Sequence, residues 1–324
     1  MSSTGTGTNT DTTAIATTTV TTTATEAPRA VTGVVVSGGA LKALSAIGVF
    51  RYLETSGARA VAFAPRREMT FVGTSAGTVI ALMLALGCTS VTMRDAVADG
   101  LIRGRVTFDV NEVFECLSTF GLNSGSAITE FAENVLLTAL GRRDFTFAQL
   151  HAATGGTTFA VCVVDVVSGK REFWDHRTAP DVQVSLGVRA SCGIPLLFTP
   201  VVLGPGVYVD GGLLDNLPVD YFSADELPSV LAIEFVEERR LRPRPSDGNF
   251  VDYVHALIDV LLTTSASRRD QVVAGARVTV AVEGRSWIEA DEEDGLALAL
   301  TAEYLERMIE TGFEAAERTW GAAA

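Results

Sequence analysis

Residues 68–87, EMTFVGTSAGTVIALMLALG, set a serine, Ser75, between two apolar runs with a glycine two positions away on each side. The first run, over 69–73, has the length of a buried strand. The second runs from 76 to about 86 and closes at Gly87, as a helix does. Strand, tight turn and helix follow in that order, and Gly73-Thr74-Ser75-Ala76-Gly77 fits the G-x-S-x-G pattern of a nucleophile elbow. A serine on so sharp a turn has a strained backbone and an exposed hydroxyl. Its neighbours two residues away must lack a Cβ for strand and helix to close on each other. The helix start also presents the Ala76 N–H to any oxyanion that develops beside Ser75. A crowded structural corner would show the same five residues, so the pattern alone leaves both readings open.

The segment before it, VTGVVVSGGALKALSAIGVFRYLETSG (31–57), has the same order. GVVV reads as a fully buried strand, and Leu41, Leu44, Ile47, Val49 and Phe50 recur at helical spacing up to Gly57. Two strand–turn–helix units in succession imply a parallel sheet with helices on its faces. Between this strand and helix, the N–H groups of Gly38 and Gly39 can point outward at an anion. A phosphate-binding loop is the rival explanation, but neither G-x-x-x-x-G-K-[ST] nor G-x-G-x-x-G fits.

Further along, residues 107–140 read as helical around a loop at GLNSGSAI. TTFAVCVVDVVSG (157–169) reads as a strand with KREFWD as its hairpin partner. VQVSLGVRASCGIP reads as a helix stopped by Gly193 and Pro195. GVYVDGGLLDNLPVDYF is a strand entering a turn at Gly211 and Gly212, with Asn216 expected to bond its own turn. SVLAIEFV and RVTVAVE are strands, with an Arg/Pro loop and a helix near 250–264 between them. A long helix is expected from about 294.

The chain has 324 residues, 47% hydrophobic and 20% charged, a globular composition long enough for a sizeable core. Its net charge of −14 and pI near 4.7 argue against nucleic acid and against general adsorption to an anionic membrane. Residues 1–30 are dominated by threonine and read as a disordered tail. Cys88, Cys116, Cys162 and Cys192 form no C-x-x-C pair, so reduced thiols in a cytoplasmic compartment are expected. No apolar run is long enough for a transmembrane helix, and the N-terminus lacks the pattern of a signal peptide. No side-chain cluster has metal-ligand spacing, so neither metal nor cofactor is expected.

A nucleophilic serine needs a base. His151, His176 and His255 sit in no distinctive turn. Asp210, at the C-terminal end of a predicted strand, stands where open α/β sheets place their sites. Asp-Gly is also a common turn dipeptide, so this too stays open.

Four segments, SGGALKALSAIGVFRYLE, VGTSAGTVIAL, VRASCGIPLLFTPV and YVDGGLLDNLPVD, resemble patatin-like phospholipases in order and spacing, over about residues 31–223. The resemblance implies an α/β, three-layer α/β/α sandwich with a mostly parallel central sheet. Residues 224–324 would then be a C-terminal strand and helix extension on the same domain. It implies Ser75 as nucleophile, Asp210 as its only side-chain partner, and an oxyanion hole from Gly38, Gly39 and Ala40. Lys42 falls where the family carries Arg or Lys. The implied substrates are phospholipids or neutral glycerolipids, met in transient peripheral contact with a membrane. Hydrolysis is the expected reaction, with acyl transfer to a lipid alcohol or a weakened lipid-binding member as alternatives. Ala40 and Ala43 replace glycines usual in the family. If position 40 needs φ > 0, alanine there costs about 1 kcal/mol.

Overall fold

The computed structural model describes residues 30–56, 61–102, 106–108, 117–238, 260, 276–283, 288–291, 295–298 and 300–321. The Thr-rich tail up to residue 29, nearly all of the Arg/Pro loop, all but residue 260 of the helix expected over 250–264, Gly57, Cys116 and His255 lie outside these residues.

The strands are β1 (Gly33–Val36), β2 (Thr70–Thr74), β3 (Thr107–Phe108), β4 (Gly121–Asn123), β5 (Thr158–Asp165), β6 (Lys170–Trp174) and β7 (Leu196–Phe198). After them come β8 (Val201–Leu203), β9 (Gly206–Asp210), β10 (Val230–Glu238), β11 (Ala276–Glu283), β12 (Ile288–Asp291) and β13 (Gly295–Leu298). The helices are α1 (Ser45–Thr55), α2 (Ala76–Leu86), α3 (Ser90–Val97), α4 (Ser126–Leu140), α5 (Phe147–Ala153), α6 (Val184–Ser191) and α7 (Ala302–Trp320).

An eight-stranded sheet runs β11-β10-β1-β2-β5-β9-β8, with β6 also on β5. Its first five strands are mutually parallel, and the β5–β6, β5–β9 and β8–β9 pairs are antiparallel. The sheet is α/β with a mostly parallel core, as the two strand–turn–helix units require. β1 is buried on both faces, which is why GVVV shows no alternation. Val34 and Val36 face the main core with Ile47, Ile80 and Leu82, under the helices. Val35 faces a smaller core with Val72, Leu217, Val219 and Phe222. Among the described residues this second face is covered by short 3-10 turns around 219–229.

Helices α1 and α7 approach until a Cβ at Gly48 would strike the Ile309 carbonyl, and one at Gly312 the Ser45 carbonyl. Arg51 pairs with Glu310 across them at 2.6 Å.

Two expectations need correction. Residues 107–108, read as helix, form a strand, and the stretch read as a loop at 121–128 holds a strand and the start of a helix. β3 pairs with β13, and β4 pairs with β7, and α4 starts only after Gly125, in the left-handed region at φ 73°. The partners of β3 and β4 arrive from far along the chain, so local periodicity carries no trace of them. The last helix starts at Ala302 rather than near 294, where Thr301 Oγ1 accepts the Tyr304 N–H at 3.1 Å. Residues 295–298 form β13 instead.

Candidate active site

Sheet register brings Ser75 and Asp210 together. β2 and β6 both pair with Val161 and Cys162, so they lie on opposite edges of β5. β6 and β9 both pair with residues 163–165, so β9 lies on the β2 edge. Thr74 is opposite Cys162, and Asp210 is opposite Val163, one residue on. The C-terminal ends of β2 and β9 therefore meet head-on along one edge. The residue after the first and the last residue of the second are Ser75 and Asp210.

Ser75 has φ 53° and ψ −135°, in the left-handed half of the map that a non-glycine residue occupies at a cost of about 1–3 kcal/mol. The flanking glycines have the steric reason that the sequence suggested. A Cβ at Gly73 would run into the Thr78 backbone, and one at Gly77 into the Val36 and Ser37 carbonyls. Ser191 holds the strained turn from behind. Its Oγ accepts the Ser75 N–H at 3.0 Å and contacts the Thr78 hydroxyl at 2.9 Å, while its own hydroxyl donates to the Cys162 carbonyl at 2.7 Å.

Asp210 is fully buried. Its N–H donates to the Gly193 carbonyl at 2.9 Å, and its Oδ1 accepts the Gly212 N–H at 2.7 Å. Oδ2 is buried without a hydrogen bond of ordinary geometry among the described residues. Burial pushes the carboxyl up to about 7, and hydrogen bonding toward it from the Ser75 hydroxyl and the Gly212 N–H holds it from rising further. Serine and carboxyl thus stand at adjoining strand ends, with the Ser75 hydroxyl holding the Asp210 pKa down. Gly211 lets the turn close, since a Cβ there would strike the Cys162 carbonyl. Beyond it, the buried Asp215 carboxylate forms an ion pair with Arg171, which also reaches Asp220.

The glycine loop differs from expectation in one respect. The Gly38 N–H donates to the Asn216 carbonyl at 3.0 Å, so it is not available to an oxyanion. The N–H groups of Gly39, Ala40 and Ala76 have no acceptor among the described residues. Ala40 has φ 46°, the strained conformation in which the missing glycine matters. Lys42 lies in the 3-10 turn Ala40–Leu44 that follows, its N–H bonded to the Gly39 carbonyl at 2.9 Å. Asn216 does not bond its own turn. Its Nδ2 donates to the Gly38 carbonyl at 3.1 Å, joining two loops 178 residues apart.

Ser75 opens into an apolar slot walled by Ala40, Leu44, Val79, Ile128, Phe131, Ile194 and Phe198. Cys192 and Ile194, from the segment read as a helix stopped by Gly193 and Pro195, also line the slot. Cys192 is buried there with its thiol pKa raised by burial. His151 and His176 stack on one another at 3.7 Å and do not line the slot. Sequence reasoning missed the bonds of Ser191 to the elbow and the cross-loop role of Asn216, because their partners are distant in the chain.

Fold and site define an α/β protein with a strained serine elbow on an apolar slot and a buried carboxyl at the neighbouring strand end. The patatin-like phospholipase model matches residues 34–223. The chain belongs to the patatin-like phospholipase family, whose members hydrolyse lipid esters. Among curated proteins it is 30% identical to the uncharacterized protein YqhO of Bacillus subtilis, over 70% of this chain and 79% of that one. It is 24% identical to the probable lipid hydrolase 463L of Invertebrate iridescent virus 6, over 60% of this chain and 63% of that one. The structure of VipD from Legionella pneumophila superposes with a TM-score of 0.54 at 16% identity, over 90% of this chain and 67% of that one. That likeness is one of fold. Among the described residues, no helix is long and apolar enough to cross a membrane.

Proposed function

We propose that this chain hydrolyses fatty-acyl ester bonds of phospholipids or other glycerolipids through an acyl-Ser75 intermediate, with Asp210 as the only side-chain base. The observation that carries the reading is a buried carboxyl, held near neutrality, facing a strained serine hydroxyl at the wall of an apolar slot. A base poised near the working pH combines a useful ionised fraction with useful proton affinity.

The acyl chain lies in the slot with its ester carbonyl against Ser75. Asp210 takes the hydroxyl proton as Oγ bonds to the carbonyl carbon. The N–H groups of Gly39, Ala40 and Ala76 receive the oxyanion. Collapse breaks the bond to the alcohol, which leaves with the proton from Asp210. Water then attacks the acyl-serine, Asp210 takes its proton, and the fatty acid departs as Ser75 is reprotonated. Substrates of this class reside in membranes, so the protein would meet them by transient peripheral contact. The name of the viral relative supports a lipid substrate. The proposed catalytic unit spans 31–223, with β10 and β11 completing the sheet.

Ser75→Ala and Asp210→Asn should each lower hydrolysis of p-nitrophenyl butyrate and of phosphatidylcholine vesicles by about 10³-fold or more. Wild-type turnover by Ser75→Ala would refute the reading.

A further inference from the structure

We infer that Asn216 is a positioning residue that sets the direction of the Gly39 N–H, and so builds the oxyanion site from the loop that carries the base. The inference rests on the proposed serine mechanism. Asn216 grips one residue at both of its backbone groups. Its carbonyl accepts the Gly38 N–H at 3.0 Å, and its Nδ2 donates to the Gly38 carbonyl at 3.1 Å.

The second bond matters most. The Gly38 carbonyl and the Gly39 N–H belong to one planar trans peptide and point in opposite directions. A hand on the carbonyl therefore aims the N–H. That N–H has no acceptor among the described residues.

The loop would not hold this direction unaided. It has two consecutive glycines, each with little torsional preference. It then enters Ala40 at φ 46°, a conformation alanine tends to leave. Rotation of the Gly38–Gly39 peptide, which needs only ψ of Gly38 and φ of Gly39 to change, would turn a carbonyl toward the oxyanion position. Asn216 opposes the rotation from a firm base. It is itself nearly buried. The preceding Asp215 is anchored by its carbonyl to the Thr74 hydroxyl at 3.2 Å and by its carboxylate to Arg171. Gly38 must lack a side chain, since a Cβ there would strike Asn216 Oδ1. One short loop thus carries the base at Asp210 and the clamp on the oxyanion donors at Asn216.

The test is Asn216→Asp, isosteric but unable to donate when ionised, assayed on p-nitrophenyl butyrate. A long-chain trifluoromethyl ketone serves as a reversible analogue, because addition of Ser75 to it generates an oxyanion. The expected result is a fall in kcat of about 10²-fold, KM within about threefold, and analogue affinity lost by a factor similar to that in kcat. If Asn216→Asp does not fold, Asn216→Ala is read in the same way. Two results would overturn the inference: kcat and analogue affinity both near wild type, or kcat lost without loss of analogue affinity. Ser75→Ala run in parallel separates the failures. An inactive Ser75→Ala beside a wild-type Asn216→Asp removes only the clamp, whereas a fully active Ser75→Ala removes the mechanism.

Discussion

Asp210→Asn should stabilise the protein while disabling it, by an amount that grows with pH. A carboxyl held at about 7 rather than its ordinary 3.8 reflects a buried anion that the fold tolerates poorly. Between those values the folded state keeps a proton that the unfolded state has released, so rising pH favours unfolding. The group's contribution is complete below about pH 4 and lost as pH rises through about 7. The full difference is about 4 kcal/mol. More than half of this falls between pH 5 and pH 8. The asparagine amide does not titrate, its Oδ1 can keep the Gly212 N–H bond, and its Nδ2 can donate to Ser75. The stability gap between variant and wild type should therefore widen by about 2–3 kcal/mol over that range, or about 4 °C in Tm for a chain of this size. Thermal unfolding of both proteins at several pH values measures it. A gap that stays constant with pH would mean that Asp210 ionises in the ordinary carboxylate range, and the argument for it as a poised base would fail.

Ala40→Gly should relieve the strain at φ 46° and raise stability by up to about 1 kcal/mol; a lower Tm would show that the position is not strained. Gly77→Ala drives a Cβ into the Val36 and Ser37 carbonyls and should cost about 3 kcal/mol or more, read as loss of folded yield or a large drop in denaturation midpoint. Ile128→Trp narrows the apolar slot and should lower the ratio of palmitoyl to acetyl ester turnover by about tenfold; an unchanged ratio would place the acyl chain elsewhere.

The parts of the site legible in the sequence were those set by neighbours along the chain. Glycines on either side of Ser75 report a local steric demand, so the elbow could be read from five residues. The two strand–turn–helix units likewise announced a parallel sheet. What stayed hidden depends on pairings across long separations. β4 looks like part of a loop until β7 arrives beside it. Asn216 looks like a turn residue until Gly38 is opposite. Gly38 looked like an anion donor, yet the same contact occupies its N–H. The sequence raised the question of strain at Ala40, but only the backbone angle answers it.

The dyad is tested most directly by intact and peptide mass spectrometry after a rapid quench of wild type and Ser75→Ala with a slowly deacylated long-chain p-nitrophenyl ester. Wild type should gain one acyl mass on the peptide that contains Ser75, and Ser75→Ala should gain none. An acyl group on another residue, or turnover without a covalent adduct, would contradict the mechanism.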